Sequence, residues 1–449
     1  MTESTLSTAP AVVAAGHDDA NKKRLFIICV CALVTTSMSF ILRGGIATAL
    51  QADYFDAIDK AHSAGMVGSA LGAVFLTFAA TLLFGSPLID AVGMRNVLLI
   101  CAGSFITGTT LVIAADKIAS GPGVYTVVWF GMLLAGIGWG CSEAVINPLT
   151  TTLYPEEKTH KLNVLHAWWP GGIIIGGVLG EVLSHANFGW RFKFALIMLP
   201  AILLLGLLVG AKFPKTERAA AGVPAKDMLL AVLKPGFFVW FGAMFLTSAA
   251  ELAPGQWVDF TLTRTLHMQG IWLLIYVAGL MFVMRHFAGT MVHKLSSVGL
   301  LWVSSLLAAL GLVALSLADS PVMGFLAATV WGTGVCYMWP TMLAAASERY
   351  PKGGAFAMGV IGTAGSLSIY FVLPKMGAIF DEAAAKAAGS AEAFKAMAPG
   401  PALEAIKTTA SVASFRFVAI LPAILLLVFG AIWLRDRSKG GFKPVKISE

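Results

Sequence analysis

Few side chains inside the long apolar stretches of this sequence can carry charge, and those few are where chemistry is expected. Glu143 lies in Gly136-Ile-Gly138-Trp139-Gly140-Cys141-Ser142-Glu143, followed by Asn147-Pro148. A carboxyl group among apolar residues is costly to keep ionised, so it suits a group that takes up and releases a proton. The plainer reading is a carboxylate held in an ion pair for helix packing. Asn147, four positions on, shares a helical face with Glu143, and its amide both donates and accepts, as the hydroxyls of a polar solute demand. Pro148 removes one backbone donor beside that face. Arg43 is the natural counter-charge. It can pair with Glu143, meet an anionic solute, or snorkel to the nearer surface, and Gly44 and Gly45 beside it allow close backbone approach.

Other polar and aromatic residues fall in neighbouring apolar runs. Asn163, His166, Trp168 and Trp169 lead into Pro170-Gly171-Gly172. Glu251 and Trp257 lie in one later run, and Tyr337, Trp339 and Thr341 in another. Aromatic faces beside amides and hydroxyls suit a sugar, whose ring face rests on an aromatic while its rim hydrogen-bonds. Each tryptophan alone is equally well explained by lipid contact. Arg285 and His286 lie near the inner end of a further run, where a gate and a solute site are both open readings.

The elements that position these residues follow from composition. Charged residues make up 12% and hydrophobic residues 57% of the 449 positions, against about 25% charged in soluble proteins. That balance excludes a soluble enzyme, a disordered chain and a disulfide scaffold. Twelve apolar runs stand at 25–48, 64–89, 96–114, 124–153, 162–184, 191–213, 235–258, 267–292, 298–318, 321–348, 355–379 and 411–434. Each is long enough to cross about 30 Å of hydrocarbon as a helix. The expected fold is therefore an all-α membrane protein of twelve transmembrane helices. The five cysteines all lie within these runs and show no metal-ligand spacing. The first run is too long for a cleaved leader.

The net charge of +7 does not point to nucleic acid, because the basic residues sit in short loops and tails. With both termini on one side, nineteen Lys and Arg fall on that side and nine on the other. That asymmetry expects both termini in the cytoplasm of an inner or plasma membrane. An internal repeat divides the chain. Trp139-Gly140 precedes Pro148 as Trp331-Gly332 precedes Pro340, and the two runs leave at Tyr154-Pro155 and Tyr350-Pro351. The expected organisation is a tail 1–24, a six-helix bundle 25–213, a linker 214–234, a second bundle 235–434 and a basic tail 435–449. The tail up to residue 20 is expected without fixed structure, and 380–410 to be an extracytoplasmic loop with a helix-forming Glu382–Lys386. Two pseudo-symmetric bundles around a midplane site form a transporter architecture. No Gly-Lys dipeptide exists, which excludes a P-loop and an ATP-driven pump in this chain. Gly136-x-Gly138-x-Gly140 reads as close helix packing.

Ser86-Pro-Leu-Ile-Asp90-Ala-Val-Gly93-Met-Arg95 resembles the cytoplasmic loop motif of the major facilitator superfamily, with Ala91 and Met94 where arginine is usual. A degenerate copy, Gly289-Thr-Met-Val-His293-Lys294, follows the eighth run. Within the superfamily the chain most resembles the fucose permease branch of proton-coupled sugar symporters. Gly140 through Glu143, Asn147-Pro148, Leu162-Asn163, Phe287-Ala-Gly-Thr290 and Trp339-Pro-Thr341 carry that likeness. It implies a central cavity, alternating access, a proton site at Glu143 and gating at Asp90, Gly93 and Arg95. That branch carries an aspartate in span one; this chain has no acid there and has Arg43 nearby, which would favour an acidic sugar.

These readings lead to a secondary transporter, not an enzyme. The expected substrate is a small polar solute, a sugar or sugar derivative, moved with a proton. The expected proton-coupling residues are Glu143 and Arg43. Those for the solute are Asn147, Asn163, His166, Trp169, Glu251, Trp257, Tyr337 and Trp339. Asp90, Gly93, Arg95, Arg285 and Lys294 are expected to gate. No cofactor or metal is expected beyond the proton gradient, and the partners are the solute and the lipid bilayer, with the chain monomeric. An uncoupled facilitator, an exporter of another organic solute, and a transporter-like sensor are the competing readings.

Overall fold

The computed structural model describes residues 19–59, 63–265, 270–398 and 400–447. Among them there is no strand; the chain is a succession of helices. Eleven stretches are long and apolar enough to cross a membrane, and the apolar helix Leu273–His286 is the shorter twelfth. Helices satisfy their own backbone donors and acceptors, as a hydrocarbon solvent requires. The protein is thus an all-α integral membrane protein of twelve spanning helices in two six-helix bundles. The described part of the N-terminal tail begins already helical at Asp19, and residues 1–18 lie outside the described residues.

In the first bundle the spanning helices are α1 (Asp19–Leu50), α2 (Ser63–Gly85), α3 (Met94–Ile113), α4 (Pro122–Leu153), α5 (Lys158–His166 and Trp168–His185) and α6 (Trp190–Ala195 and Met198–Leu208). In the second they are α7 (Pro235–Thr265), α8 (Gly270–His286), α9 (Ala288–Leu317), α10 (Pro321–Val335 and Met338–Arg349), α11 (Gly354–Ala388) and α12 (Pro401–Ser438). The first and last described stretches of the chain sit at one end. Asn21 donates to the Lys212 carbonyl there, and the Val445 amide donates to the Glu348 carbonyl. We call this the terminal end.

The glycines of α4 work as their spacing suggests. A Cβ on Gly136 would lie 2.3 Å from the Val74 carbonyl oxygen, and one on Gly140 2.4 Å from Thr81 Cβ. Only glycine lets α4 approach α2 this closely. Thr77 on α2 seals the contact by donating to the Leu133 carbonyl at 2.9 Å. All five cysteines are buried and free, as expected of packing residues.

Several boundaries differ from the apolar pattern. The run 321–348 is not one helix: α10 breaks at Cys336-Tyr337, one turn before Pro340. The run 162–184 breaks likewise at Ala167, ahead of Pro170. The eighth run, read as 267–292, ends as a helix at His286, and 288–295 belongs to α9. There Ser296, at φ 63°, kinks the chain before the apolar part begins. The stretch 380–410 is mostly helix rather than loop. α11 continues to Ala388, Ala391–Ala396 forms a short turn of helix, and α12 starts at Pro401. Phe380, Ala384 and Ala410 close a small apolar cluster of their own with Phe394 and Ile406, which rewards helix in a segment whose composition alone reads as surface.

Candidate functional site

The site is built on prolines as much as on charges. A proline has no N–H, so the carbonyl four residues before it loses its helical partner. Pro170 frees the His166 carbonyl, Pro340 frees the Cys336 carbonyl, and Pro254 frees the Ala250 carbonyl. Each finds a side-chain donor. Arg285 on α8 donates Nη1 to the His166 oxygen at 2.7 Å and Nε to the Cys336 oxygen at 2.6 Å. Trp331 Nε1 donates to the Ala250 oxygen at 3.1 Å. The two breaks in α5 and α10 are therefore paired acceptors for one arginine, and one of them belongs to each bundle.

Arg285 is 1% exposed. Its Nη2 donates to Glu251 Oε1 on α7 at 3.2 Å, so a carboxylate balances the charge. Three acceptors hold the guanidinium fork in place, the geometry at which arginine is strongest. Glu251 Oε2, Ser248 Oγ and Thr247 Oγ1 are buried nearby on α7 without a hydrogen-bond partner.

Glu143 on α4 is 5% exposed and has a different environment. Its Oε2 accepts from Asn147 Nδ2 at 2.8 Å, and no ion pair reaches it among the described residues. Asn147 Oδ1 faces His166 Nε2 at 2.9 Å. With Glu143 ionised, the amide must present its NH2 to the carboxylate and its oxygen to His166, so His166 carries its proton on Nε2. His166 in turn gives its carbonyl to Arg285. A continuous polar chain thus runs Glu143, Asn147, His166, Arg285, Glu251, and it crosses from the first bundle to the second at the Arg285 bond.

Arg43 does not pair with Glu143. On α1, 4% exposed, it donates Nε to the Ser39 carbonyl at 3.0 Å, and its guanidinium lies 5.9 Å from the Trp139 ring centre. Trp139 stacks on Phe78 and on Trp169, at 4.4 and 5.2 Å between ring centres, with Phe40 and Phe75 against it. Trp139, known from the sequence only as half of a repeat, is the centre of this aromatic group.

The remaining expected residues fall into place as follows. Asn163 Nδ2 donates to Thr341 Oγ1 at 3.2 Å across the two bundles, and its Oδ1 is buried without a partner. The Tyr337 hydroxyl donates to the Met284 carbonyl at 2.9 Å. Trp339 packs on Gly365, where a Cβ would lie 2.4 Å from the indole. Trp257 is on α7, but its side chain lies outside the described residues. The loop residues sit at the terminal end, away from this centre. Asp90 accepts from Thr216 Oγ1 at 2.7 Å and pairs with Arg218. Gly93 takes φ +87°, a conformation that favours glycine, between two helices. Arg95 donates to the Leu208 carbonyl at 3.1 Å. Lys294 is exposed.

The sequence did not single out a third cluster. Thr159 on α5 donates to Glu348 Oε1 on α10 at 2.9 Å and lies 3.0 Å from Ser297 Oγ on α9. His160 accepts from the Gly289 amide at 3.1 Å. Among the described residues, hydrogen bonds between the bundles lie at the centre and at the terminal end, so the bundles are joined there. Glu348 at a run's end was the available signal, but nothing local named its partners.

Two six-helix bundles joined across a buried polar chain define a protein of the membrane-transporter class. The sequence profile of the Major Facilitator Superfamily matches residues 25–372, and the chain belongs to that superfamily, one of transporters and not of enzymes. Curated relatives include the gentisate transporter of Corynebacterium glutamicum, 26% identical over 221 residues, 44% of this chain and 43% of that protein. A probable metabolite transport protein of Saccharomyces cerevisiae is 29% identical over 149 residues, 32% of this chain and 24% of that one. The chain thus spans less than half the length of these relatives. The E. coli fucose:proton symporter shares the fold at a TM-score of 0.65 and 15% identity, over 89% of this chain and 98% of its own. The proton:xylose symporter bound to 6-bromo-6-deoxy-D-glucose does so at 0.71 and 14%, over 92% and 96%. The human organic anion transporter MFSD10 does so at 0.67 and 14%, over 91% and 99%. At such identities the likeness is one of fold.

Proposed function

We propose that the protein is a secondary active transporter that moves a small, polar, ring-bearing solute of the sugar or sugar-derivative kind by alternating access, with Glu143 carrying a coupled proton. The polar chain from Glu143 to Glu251 carries this reading. When Glu143 is ionised, Asn147 gives it an N–H. When it is protonated it gains an O–H, and the amide oxygen becomes the better partner. Turning the amide presents NH2 to His166, which must then accept. The segment that changes is the one whose carbonyl holds Arg285, so the protonation of one bundle is felt at its contact with the other. The paired breaks in α5 and α10 are where a rocking of 25–213 against 235–434 finds its pivot, with 214–234 as the tether.

The relatives and fold neighbours named for fucose, xylose, gentisate and organic anions support a small organic solute. The basic asymmetry supports both termini in the cytoplasm. The test is solute-driven proton movement. Proteoliposomes loaded with a pH-sensitive dye are challenged with a panel of hexoses, pentoses and ring carboxylates. A panel member that enters with acidification supports the reading. Entry of a panel member with no proton movement and no accumulation under an imposed pH gradient overturns the coupling and leaves a facilitator.

A further inference from the structure

We infer that the transported solute is a ring-bearing carboxylate, with its carboxylate on Arg43 and its ring against Trp169, Phe40 and Phe75. This rests on the transporter reading above and narrows its substrate class.

The comparison of the two buried arginines carries the argument. Arg285 has every branch of its guanidinium engaged, by two carbonyls and Glu251. Arg43 is equally hidden from solvent, yet only its Nε has an acceptor, the Ser39 carbonyl. Among the described residues no carboxylate pairs with it and neither Nη group meets a protein acceptor. A buried cation without a counter-charge is costly to maintain. At 4% exposure this side chain does not snorkel to the surface. Its free edge is a planar fork of N–H donors, which matches a carboxylate in a bidentate fashion.

The surroundings select what the carboxylate is attached to. The Trp139 ring lies 5.9 Å from the guanidinium, and its half-buried neighbours Trp169, Phe40 and Phe75 extend that flat apolar surface. Flat apolar rings take a planar or ring-shaped partner. A neutral polyol needs donors and acceptors in alternation, and the Arg43 edge offers donors alone. Glu143, one helical turn past Trp139 on α4, already has Asn147 and does not serve as the counter-charge.

The experiment uses the purified full chain and two matched pairs. One is 4-hydroxybenzoate beside 4-hydroxybenzyl alcohol; the other is a hexuronate beside the parent hexose. Ligand-dependent thermal stabilisation gives affinity. The wild-type protein is expected to be stabilised by at least one acid and not by its neutral partner. The preferred pair tells whether the ring is aromatic or a sugar. Arg43→Gln is expected to weaken that acid about 10- to 100-fold, the loss expected for charge-assisted hydrogen bonds. Arg43→Lys keeps the charge without the fork and is expected to recover part of the loss. The wild-type comparison stands even if Arg43→Gln does not fold. Binding of the hexose as tightly as its acid, binding of an acid that Arg43→Gln leaves unchanged, or no response to either acid overturns the inference. Proton-coupled entry of the neutral hexose would leave the transporter reading standing while this narrower claim falls.

Discussion

Each bundle buries one acid and one arginine at the centre, and the two treat them in opposite ways. In the second bundle Glu251 and Arg285 pair at 3.2 Å, and α10 is broken so that the Cys336 carbonyl joins them. In the first bundle α4 runs unbroken through Pro148, Glu143 meets an amide, and Arg43 meets a carbonyl and an aromatic face. An arginine with every branch engaged fixes a geometry, even with Glu251 Oε2 left without a partner. A separated acid and base each keep capacity for something that arrives from outside. Under the proposed function, this difference gives holding to the second bundle and response to the first, although the same repeat underlies both.

The largest effect should come from breaking the closed pair. Arg285→Gln leaves Glu251 buried without its cation and the His166 and Cys336 carbonyls without a charged donor. A cost of about 3–5 kcal/mol is expected, read as a marked fall in apparent Tm or loss of monodisperse protein. Combining it with Glu251→Gln should restore part of that stability, because the uncompensated charge is then gone. A single variant as stable as wild type would show that the pair holds nothing.

Removal of the responsive acid should cost less. Glu143→Ala strips Asn147 of its carboxylate partner and is expected to cost about 1–3 kcal/mol, visible in the same melting measurement. If it cost as much as Arg285→Gln, the contrast between the bundles would fail. At the terminal end, Asp90→Asn removes the charge that pairs with Arg218 and keeps the bond to Thr216. Turnover should fall while solute affinity stays within a few-fold, because Asp90 lies away from the central chain. A large affinity loss with normal turnover would put Asp90 in the wrong role. The smallest effect is expected at Lys294, in the second bundle's degenerate copy of that loop. Exposed as it is, Lys294→Gln should change stability by no more than about 0.5 kcal/mol.

The apolar runs made the twelve helices legible, because a hydrocarbon solvent leaves composition little freedom. Glu143 and Asn147 were legible as a pair, since their spacing placed them on one helical face; His166 was legible only as a polar residue in the neighbouring run. Pro170 and Pro340 stand in the sequence, Pro340 as part of the internal repeat. That their freed carbonyls would share one arginine from a third helix depends on how α5, α8 and α10 meet, which no local pattern encodes. Arg218 as the partner of Asp90 was hidden for the same reason: it sits in the linker, where a basic residue ordinarily marks orientation. Arg43 was legible as a charge but not as an unpaired one, because the aromatic group around Trp139 is assembled from four helices. Tyr337 stood out as a solute contact, yet its hydroxyl is occupied by the Met284 carbonyl.

The central claim is that Glu143 carries the proton that couples the first bundle to the second. Glu143→Gln keeps the shape and a hydrogen bond to Asn147 and stays neutral at every pH. The measurement is uptake in proteoliposomes under an imposed pH gradient, beside exchange of labelled for unlabelled solute with no gradient, using whichever ring solute the wild type accumulates. Gradient-driven accumulation should vanish in the Gln variant while exchange persists, because the neutral side chain imitates the loaded carrier but cannot release its proton. Full accumulation by the Gln variant would contradict the account and move the proton to Glu251 or out of the mechanism.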